Sequence, residues 1–400
     1  MSTASAWTSA TIKYWPSDGE KTAPFKKIGD NDFRILITPK MFNNSDFCFR
    51  FVVDGTEWGL WKDATEDYLL DTSNSYGCNK DGNMSGAKSL KIASSENTDD
   101  YVVIVKITWN DPKWTVSYYK RAATTFDIRF VKPNSWGNDV KLYAYDSDGV
   151  EMLGAWRGES MTKNGDGTFS MSIKAPSNED TKVNKIIFND GTNQTPGSDG
   201  YELSSTVYDS EGVAANQTVS AGSNGVATYS SAYPLDFSST TTITAYTVSS
   251  LSPTAATLTE VKKAIPAETG LIIMGANDAS EDISPSVISE SVGTNFLQAS
   301  VTGTTVAADY AYVLSAGAFH PADAGTIPAN RAYLLQSDIV NAGGGHARSL
   351  SLTFGDEETG ISQVSNDQWI MGNYYDFSGR RVAQPTKGLY IVNGKKVIVK

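Results

Sequence analysis

The sequence predicts an all-β protein, with tandem antiparallel β-sandwich domains followed by a β-rich C-terminal region. Short runs of β-branched and aromatic residues recur along the chain, separated by the turn-forming residues Gly, Asn, Asp and Ser. No amphipathic pattern of helical period and convincing length lies between these runs. The chain has 400 residues, and because a typical domain has roughly 100–200, we expect roughly two to four domains.

Two β-sandwich domains are predicted in the N-terminal half. The first, residues 1–122, has strand-like runs at FRILIT (33–38), FCFRFVV (47–53), YVVIVKITW (101–109) and WTVSYY (114–119). The polar segment KRAATT (120–125) is expected to link it to the second domain, residues 123–210. That domain has runs at FDIRFV (126–131), VKLYAY (140–145), FSMSI (169–173) and NKIIFND (184–190). Short, regularly spaced strands of this kind are typical of β-sandwiches.

The composition changes after Tyr208, because residues 209–225 contain few large apolar side chains. The later strand-like runs are aliphatic and lie at TTITAYTV (241–248), GLIIMGA (270–276), YAYVLS (310–315), RAYLLQ (331–336) and SLSLTFG (349–355). We therefore predict a β-rich spacer or structural domain at residues 211–372. Residues 373–400 are predicted to form a terminal hairpin unit with Asn393-Gly394 at its turn.

The charge and cysteine content exclude several classes of protein. There are 33 Lys and Arg against 45 Asp and Glu, which gives a formal charge of −12 and argues against a nucleic-acid partner. No apolar run is long enough to span a bilayer, and the opening MSTASAWTSATIKYW lacks the basic and apolar regions of a signal peptide. Cys48 and Cys78 have no metal-binding spacing, and either one disulfide or two free thiols would fit.

Motifs for catalysis and metal binding are missing from the sequence. Both histidines, His320 and His346, lie in the aliphatic C-terminal region, and no nucleophile elbow, zinc-protease motif or phosphate-binding loop occurs. Acidic residues mostly occur in turn-like clusters. DSDG (146–149) and NGDG (164–167) match part of a calcium loop but lack its bidentate Glu, so hairpin turns are favoured. We predict no enzyme, no cofactor and no bound metal.

The aromatic residues indicate a binding surface. Tyr143 and Tyr145 are two residues apart on a predicted strand and therefore leave the same face of the sheet. Val140 and Leu142 form the inward-pointing set, which assigns the tyrosines to the outward face. Trp156 lies between glycines in an irregular segment and is also expected to be exposed. Such rings suit sugars, because the C–H faces of a pyranose pack on an aromatic ring while its hydroxyls reach polar side chains. Polar partners follow in FNDGTNQT (188–195), among them Asn189 and Gln194.

The run FVKPNSWGNDVKLYAYDSDG, with the later LGAWRGESM and NKIIFNDGTNQTPG, resembles the starch-binding modules of carbohydrate-binding module family 26 over about residues 124–208. The shared features, in the family's order, are an early Trp, a strand with two tyrosines, a Trp–x–Gly segment and IIFNDG followed by QT. Arg157 stands where that family usually has Pro. The resemblance implies that Tyr143, Tyr145 and Trp156 form a platform for α-1,4-glucan, with Gln194 as a hydrogen-bonding partner.

The first domain has a shorter resemblance. FCFRFVVDGTEWGLWKD (47–63) is similar to a segment of SusE/SusF-type surface starch-binding proteins, in which a Trp-bearing loop follows a strand. The resemblance makes Trp58 and Trp61, which flank Gly59, candidate glucan-binding residues, and Trp15, which precedes Pro16 in a predicted loop, is a third candidate. For each of these three, partial burial in the core is an equally good interpretation.

The C-terminal YYDFSGRRVAQPTKGLYIVNGKKVIVK (374–400) resembles the sorting and attachment segments of proteins exported by type IX-like secretion. This resemblance implies a location outside the cell or at the outer-membrane surface. Together the features predict a non-catalytic protein of the bacterial surface that binds starch, amylopectin and maltooligosaccharides, with other starch-degrading surface proteins as possible partners. Two alternatives stay open, namely the C-terminal ancillary region of a larger secreted amylase or pullulanase, and an adhesin that recognises a protein or host glycan through residues 209–400.

Overall fold

The computed structural model describes residues 7–16, 19–42, 45–61, 63–80, 88–178, 183–343, 345–354, 361–364, 374–375, 381–382, 388–392 and 395–399. Strands predominate in these residues and form several antiparallel sheets, which confirms the all-β fold class. The helical segments among them are α1 (Pro39–Phe42), α2 (Gln336–Asn341) and a 3₁₀ turn at Ser94–Glu96.

A first sandwich is built by the strands between residues 10 and 122. They are β1 (Ala10–Tyr14), β2 (Lys21–Pro24), β3 (Lys26–Gly29), β4 (Asp32–Ile37), β5 (Phe47–Val53), β6 (Thr56–Gly59), β7 (Tyr68–Leu70), β8 (Tyr76–Lys80), β9 (Leu90–Ile92), β10 (Tyr101–Asn110) and the start of β11 (Lys113–Phe130). One layer has the order β2-β1-β5-β6, the other has the order β8-β11-β10-β4-β3, and the two are joined along one edge because β6 pairs with β8. Their facing sides bury a core that includes Phe49, Phe51, Ile107 and Trp114, all fully buried. Burial of such large apolar side chains is the main force that holds the two layers together.

A second sandwich follows directly. Its strands are β12 (Lys141–Tyr145), β13 (Glu159–Ser160), β14 (Thr162–Lys163), β15 (Phe169–Pro176), β16 (Lys185–Asn189), β17 (Gln194–Thr195), β18 (Tyr201–Glu202), β19 (Val207–Asp209) and β20 (Gly212–Val213). One layer has the order β13-β12-β16-β17, and the other contains β14, β15, the end of β11, β19 and β20. Phe130 and Phe188 stack across the core with ring centroids 4.1 Å apart.

The two sandwiches share β11, which runs through 18 residues without a break. Its pairing partner changes from β10 to β15 between Ala122 and Ala123. The expectation of a polar link at residues 120–125 is therefore wrong. These residues lie inside a strand and their backbone pairs with β10 and β15, although their side chains do not show the apolar pattern of a strand. The predicted division into domains at 122/123 coincides with the change of partner and stays a prediction.

The sandwiches also contact each other through side chains. Leu36 and Val102 of the first sandwich pack into the core of the second. Two ion pairs cross the same interface, Arg34 to Asp148 at 2.9 Å and Arg121 to Asp146 at 3.3 Å. Asp146 is almost completely buried, and burial raises the pKa of its carboxyl. The relative position of the two sandwiches is thus fixed by apolar packing as well as by the shared strand.

A third region contains the aliphatic strands. They are β21 (Gln217–Ser220), β22 (Val226–Tyr229), β23 (Leu235–Asp236), β24 (Ile243–Leu251), β25 (Ala255–Val261), β26 (Ala264–Ile265), β27 (Leu271–Gly275), β28 (Ser280–Ile283), β29 (Leu297–Ser300), β30 (Thr304–Val306), β31 (Ala311–Ser315), β32 (Ala318–Pro321), β33 (Gly325–Ile327), β34 (Arg331–Leu335) and β35 (Leu350–Phe354). Nine of them form one sheet in the order β22-β27-β24-β25-β35-β32-β31-β34-β29. β20 still pairs with β19 of the second sandwich, whereas β21 pairs with β28 of the third region. The chain therefore passes into the third region between β20 and β21. The boundary at 210/211 and the spacer role stay predictions.

The C-terminal strands form a further sheet of five, comprising β36 (Ile361–Val364), β37 (Tyr374–Tyr375), β38 (Arg381–Val382), β39 (Gly388–Val392) and β40 (Lys395–Val399). β39 and β40 are antiparallel neighbours. The predicted turn residues Asn393-Gly394 lie outside the described residues. A sorting or attachment role for this segment stays a prediction.

Cys48 and Cys78 are free thiols in this structure. Cys78 lies in the core of the first sandwich, and burial raises the pKa of its thiol. Of the two alternatives that the sequence left open, the structure therefore has the pair of free thiols. Among the described residues, no helix combines the length and the apolar character needed to cross a membrane.

Candidate carbohydrate-binding site

β12 separates a core face from an aromatic face. Val140, Leu142 and Ala144 are fully buried in the core of the second sandwich. Tyr143 and Tyr145 lie on the opposite face because the side chains of a strand alternate. The outward orientation that the residue spacing predicts for the two tyrosines is therefore observed.

Tyr143, Tyr145 and Trp156 form a contiguous group of rings, which we call the aromatic platform. The ring centroids of Tyr143 and Tyr145 are 5.6 Å apart with an interplanar angle of 35°. The edge of Trp156 meets Tyr143 at 5.2 Å and 82°. Trp156 is 47% exposed, whereas Tyr143 is only 8% exposed. Trp156 and the half-buried Tyr145 therefore present the accessible ring surface. The buried Tyr143 ring contacts both of them.

Gly158 allows the Trp156 loop to lie against β12. Its φ is +80°, and a Cβ at this position would come within 1.9 Å of the carbonyl oxygen of Leu142. Only glycine fits both this backbone conformation and this close approach. The peptide bond between Trp156 and Arg157 is cis. The loop is also held from the opposite side, because the Asn189 Nδ2 donates a hydrogen bond to the carbonyl oxygen of Arg157 at 3.0 Å.

The two tyrosine hydroxyls are held by polar partners. The hydroxyl of Tyr143 donates to the Glu151 Oε1 at 2.9 Å. Burial and this acidic neighbour raise the pKa of Tyr143, so the phenol keeps its proton at every physiological pH. The hydroxyl of Tyr145 accepts a hydrogen bond from the backbone N–H of Gly200 at 3.1 Å. Both rings are therefore fixed before any ligand arrives.

The predicted polar partners divide into one exposed and one buried residue. Gln194 is exposed at the start of β17, and its Nε2 donates to the backbone carbonyl of Gly197. Asn189 is only 1% exposed, so it cannot reach a sugar on the surface. The prediction that Asn189 contacts the ligand directly is not supported by its position. Its side chain instead holds the loop that carries Trp156.

The turn between Asn189 and Gln194 is organised by Asp190. Its carboxylate accepts hydrogen bonds from the backbone N–H groups of Gly137, Thr192 and Asn193 at 2.8, 2.9 and 2.7 Å. These bonds, with that from the Asn193 side chain, hold the pKa of Asp190 well below its usual range. The turn that precedes Gln194 is thus fixed at three backbone positions.

The three tryptophans proposed for the first sandwich occupy different environments. Trp58 is 6% exposed and belongs to the core, so the core alternative holds for this residue. Trp61 is 59% exposed, with the Lys113 ammonium 5.4 Å from its ring centroid. Trp15 is half-buried, and the Arg50 guanidinium lies 5.1 Å from its ring centroid. Of the three, Trp61 alone presents a largely open ring, and it lies on a separate sandwich from the aromatic platform.

Sequence reasoning missed Glu151, and it placed Asp190 among the polar partners of FNDGTNQT (188–195), whereas in the structure both residues act on the site through other residues. Glu151 lies at the end of the 146–150 turn and forms a bridge with Tyr145. The turn sequence DSDG carried a usable signal, since a hairpin at this point returns the chain alongside the second tyrosine. Both this segment and NGDG are turns, and among the described residues no group of His, Cys, Asp and Glu is arranged to hold a metal ion.

Residues 128–200 match the model of the family described as starch-binding module 26. This part of the chain therefore carries a starch-binding module, and the match includes all three residues of the aromatic platform. The solved structures include no significant match to the chain.

Proposed function

We propose that this protein is a non-catalytic starch-binding protein of the bacterial cell surface, which holds α-1,4-glucan on the aromatic platform. The observation that carries the proposal is the exposed Trp156 packed with Tyr143 and Tyr145 inside the matched module. The rings are inclined to one another by 35° and 82°, so a bound glucan would meet them at more than one angle, as a curved chain can. Starch granules, amylopectin and maltooligosaccharides are the proposed ligands.

The charge of the protein fits an uncharged polysaccharide. With a formal charge of −12, no basic surface is needed or expected for such a ligand. A shallow platform of this size typically binds with Kd on the order of 10 μM to 1 mM, because few rings are buried and the polar contacts remain hydrated. Trp61 offers a second contact on the first sandwich, and two sites on one chain raise the avidity for a polymer that reaches both.

Isothermal titration with maltoheptaose tests the proposal. Trp156→Ala is expected to weaken binding about tenfold or more, because it removes the most exposed ring of the platform. Tyr145→Ala is expected to have a smaller effect in the same direction. Tyr310→Ala is a matched control, since Tyr310 is 52% exposed but lies in the third region. Unchanged affinity in Trp156→Ala, or absence of binding in the unmodified protein, would refute the proposal.

The surface location and the lack of catalysis need separate measurements. Surface labelling of intact cells should reach the protein, and incubation with amylopectin should release no reducing sugar. Pull-down on granular starch in the presence of other surface proteins tests for starch-degrading partners. Loss of pull-down in Trp156→Ala would assign this interaction to the platform rather than to the third region.

A further inference from the structure

A cleft of about 560 Å³ lies between the two sandwiches, beside the aromatic platform. One wall belongs to the first sandwich and includes Tyr14, Lys21 and Thr38. The other wall belongs to the second sandwich and includes Glu151, Gly154 and Glu159. The volume lies in the range of roughly 300–1,000 Å³ that small-molecule sites in proteins occupy.

The cleft and the platform share a wall. Glu151 lines the cleft and also accepts the hydrogen bond from the hydroxyl of Tyr143. Gly154 and Glu159 stand on either side of Trp156 in the chain and both line the cleft. A ligand that lies across Trp156 therefore has the cleft next to it.

The walls are held in place without a ligand. Asp148 forms an ion pair with Arg34 of the first sandwich. The Asp146 Oδ1 accepts a hydrogen bond from the backbone N–H of Val150 at 2.8 Å, within the second sandwich. The turn before Glu151 is therefore tied to both sandwiches. Leu36 lines the cleft and is packed in the core of the second sandwich. A cleft with fixed walls loses little conformational entropy on binding, which favours affinity.

The chemistry of the lining suits a neutral, hydroxyl-rich chain. Lys21 donates hydrogen bonds, Glu151 and Glu159 accept them, and Tyr14 adds a ring. The two carboxylates disfavour an anionic ligand, and the polar groups disfavour a purely apolar one. Sugar hydroxyls both donate and accept, so they match this mixed lining.

We propose that this cleft is a second glucan subsite, which receives the part of an α-1,4-glucan chain that extends beyond the aromatic platform. The inference rests on the proposed function. It adds that the first sandwich contributes directly to the site, and that affinity increases with the length of the glucan until the cleft is filled.

The test compares maltotriose with maltoheptaose by isothermal titration. The double variant Lys21→Ala/Glu159→Ala removes two exposed polar groups from the cleft, and Ala23→Trp fills it with a ring. The double variant is expected to weaken maltoheptaose binding about five- to tenfold, as for the loss of one or two charged hydrogen bonds. Ala23→Trp is expected to weaken it to a similar extent, because its ring occupies the cleft. Maltotriose, which the platform accommodates alone, should bind within about twofold of the unmodified protein.

Lys27→Ala/Glu260→Ala is the matched control, because it removes the same charges at positions that do not line the cleft. It should leave both affinities unchanged. Thermal unfolding shows whether each variant is folded. If Ala23→Trp is not folded, the test of the subsite rests on Lys21→Ala/Glu159→Ala, whose substitutions are at exposed positions. Trp156→Ala is expected to weaken both sugars, which distinguishes the platform from the cleft.

Unchanged maltoheptaose affinity in the cleft variants would overturn the subsite and leave the proposed function standing. Equal weakening of both sugars would also overturn it, since the substitutions would then act through the platform. Failure of the unmodified protein to bind either sugar would overturn the subsite and the proposed function together.

Discussion

Single residues decide how the Trp156 loop is placed. Because Gly158 has no Cβ, the backbone of the loop can lie in contact with β12. Asn189 holds the same loop through a hydrogen bond to the carbonyl oxygen of Arg157. Neither residue offers a group to a ligand. Their effect on binding is therefore expected to be indirect, through the position of the Trp156 ring.

Gly158→Ala is expected to abolish most of the glucan affinity. A methyl group here meets the Leu142 carbonyl, so either the loop or the centre of β12 must move. Gly167→Ala is a suitable control, because Gly167 has a φ of +79° but no atom within 4 Å of the added Cβ. Both variants incur the left-handed backbone strain of about 1–2 kcal/mol. Chemical denaturation should therefore show a larger loss for Gly158→Ala, and equal losses would contradict the collision.

At this scale the sequence was informative only in part. The alternation of Tyr143, Ala144 and Tyr145 is a local property, and it predicted correctly that the tyrosines lie on the face opposite the core, but not that Tyr143 is buried on that face. Asn189 looked like a ligand residue, but its burial depends on its pairing with Lys141 in β12, a long-range contact that no local pattern contains. Trp58 and Trp61 have similar neighbours in sequence, yet Trp58 is in the core and Trp61 is outside it.

Among the elements, the turn that begins at Asp190 positions Gln194. The Asp190 carboxylate also accepts a hydrogen bond from the backbone N–H of Gly137, which ties this turn to the segment before β12. The pKa of this carboxyl is lower in the folded protein than its ordinary value of about 3.9. Its stabilising contribution is therefore fully present above that ordinary value, and it is lost as the pH falls through the folded pKa. The turn should be intact throughout the neutral and mildly acidic range.

We expect the stability difference between the unmodified protein and Asp190→Asn to be constant above about pH 5 and to shrink below about pH 4. Thermal unfolding followed from pH 7 to pH 3 measures this difference. Asp199→Asn provides the comparison, since Asp199 is an exposed carboxylate paired with Lys185 only at 3.9 Å. A difference that grows on acidification would contradict the assigned direction of the pKa shift.

Most individual strands were predictable, because the apolar runs that predict them are local. The runs at 33–38, 47–53 and 101–109 correspond to β4, β5 and β10. The join between 114–119 and 126–131 was not predictable, since residues 120–125 have no large apolar side chain on either face of the strand. Their place in β11 depends on backbone pairing with two different partners. Side-chain patterns report burial, and this part of the strand is only partly buried.

On the scale of the whole molecule, a buried ion pair within the second sandwich is also hydrogen-bonded to the third region. The Arg129 Nη2 lies 2.5 Å from the Asp166 Oδ2, and both side chains are about 5% exposed. The Arg129 Nη1 also donates to the Ser289 Oγ at 3.0 Å, and the backbone N–H of Ala267 donates to the same Asp166 oxygen at 3.0 Å. The network ties the NGDG turn to residues of the third region.

Arg129→Ala is expected to destabilise the protein by about 3–5 kcal/mol, because it leaves the Asp166 carboxylate buried without its partner. It should also loosen the contact with the third region. Urea unfolding followed by intrinsic fluorescence measures the first effect, and limited proteolysis near residues 214–216 measures the second. Lys27→Ala breaks an exposed pair with Asp30 and should change stability by less than about 1 kcal/mol. A similar loss of unfolding free energy in both variants would show that the buried network contributes no more to stability than an exposed ion pair.

The continuity of β11 also has a mechanical consequence. Its 18 residues span about 60 Å at a rise of about 3.4 Å per residue. Tension applied along the chain between the two sandwiches passes lengthwise through this strand, in addition to the side-chain contacts that cross the interface. The hydrogen bonds to β10 and β15 lie across the direction of pull, so they are loaded together in shear rather than opened one at a time. A junction built in this way should hold a tethered polymer against drag far better than a flexible connector, which would simply stretch.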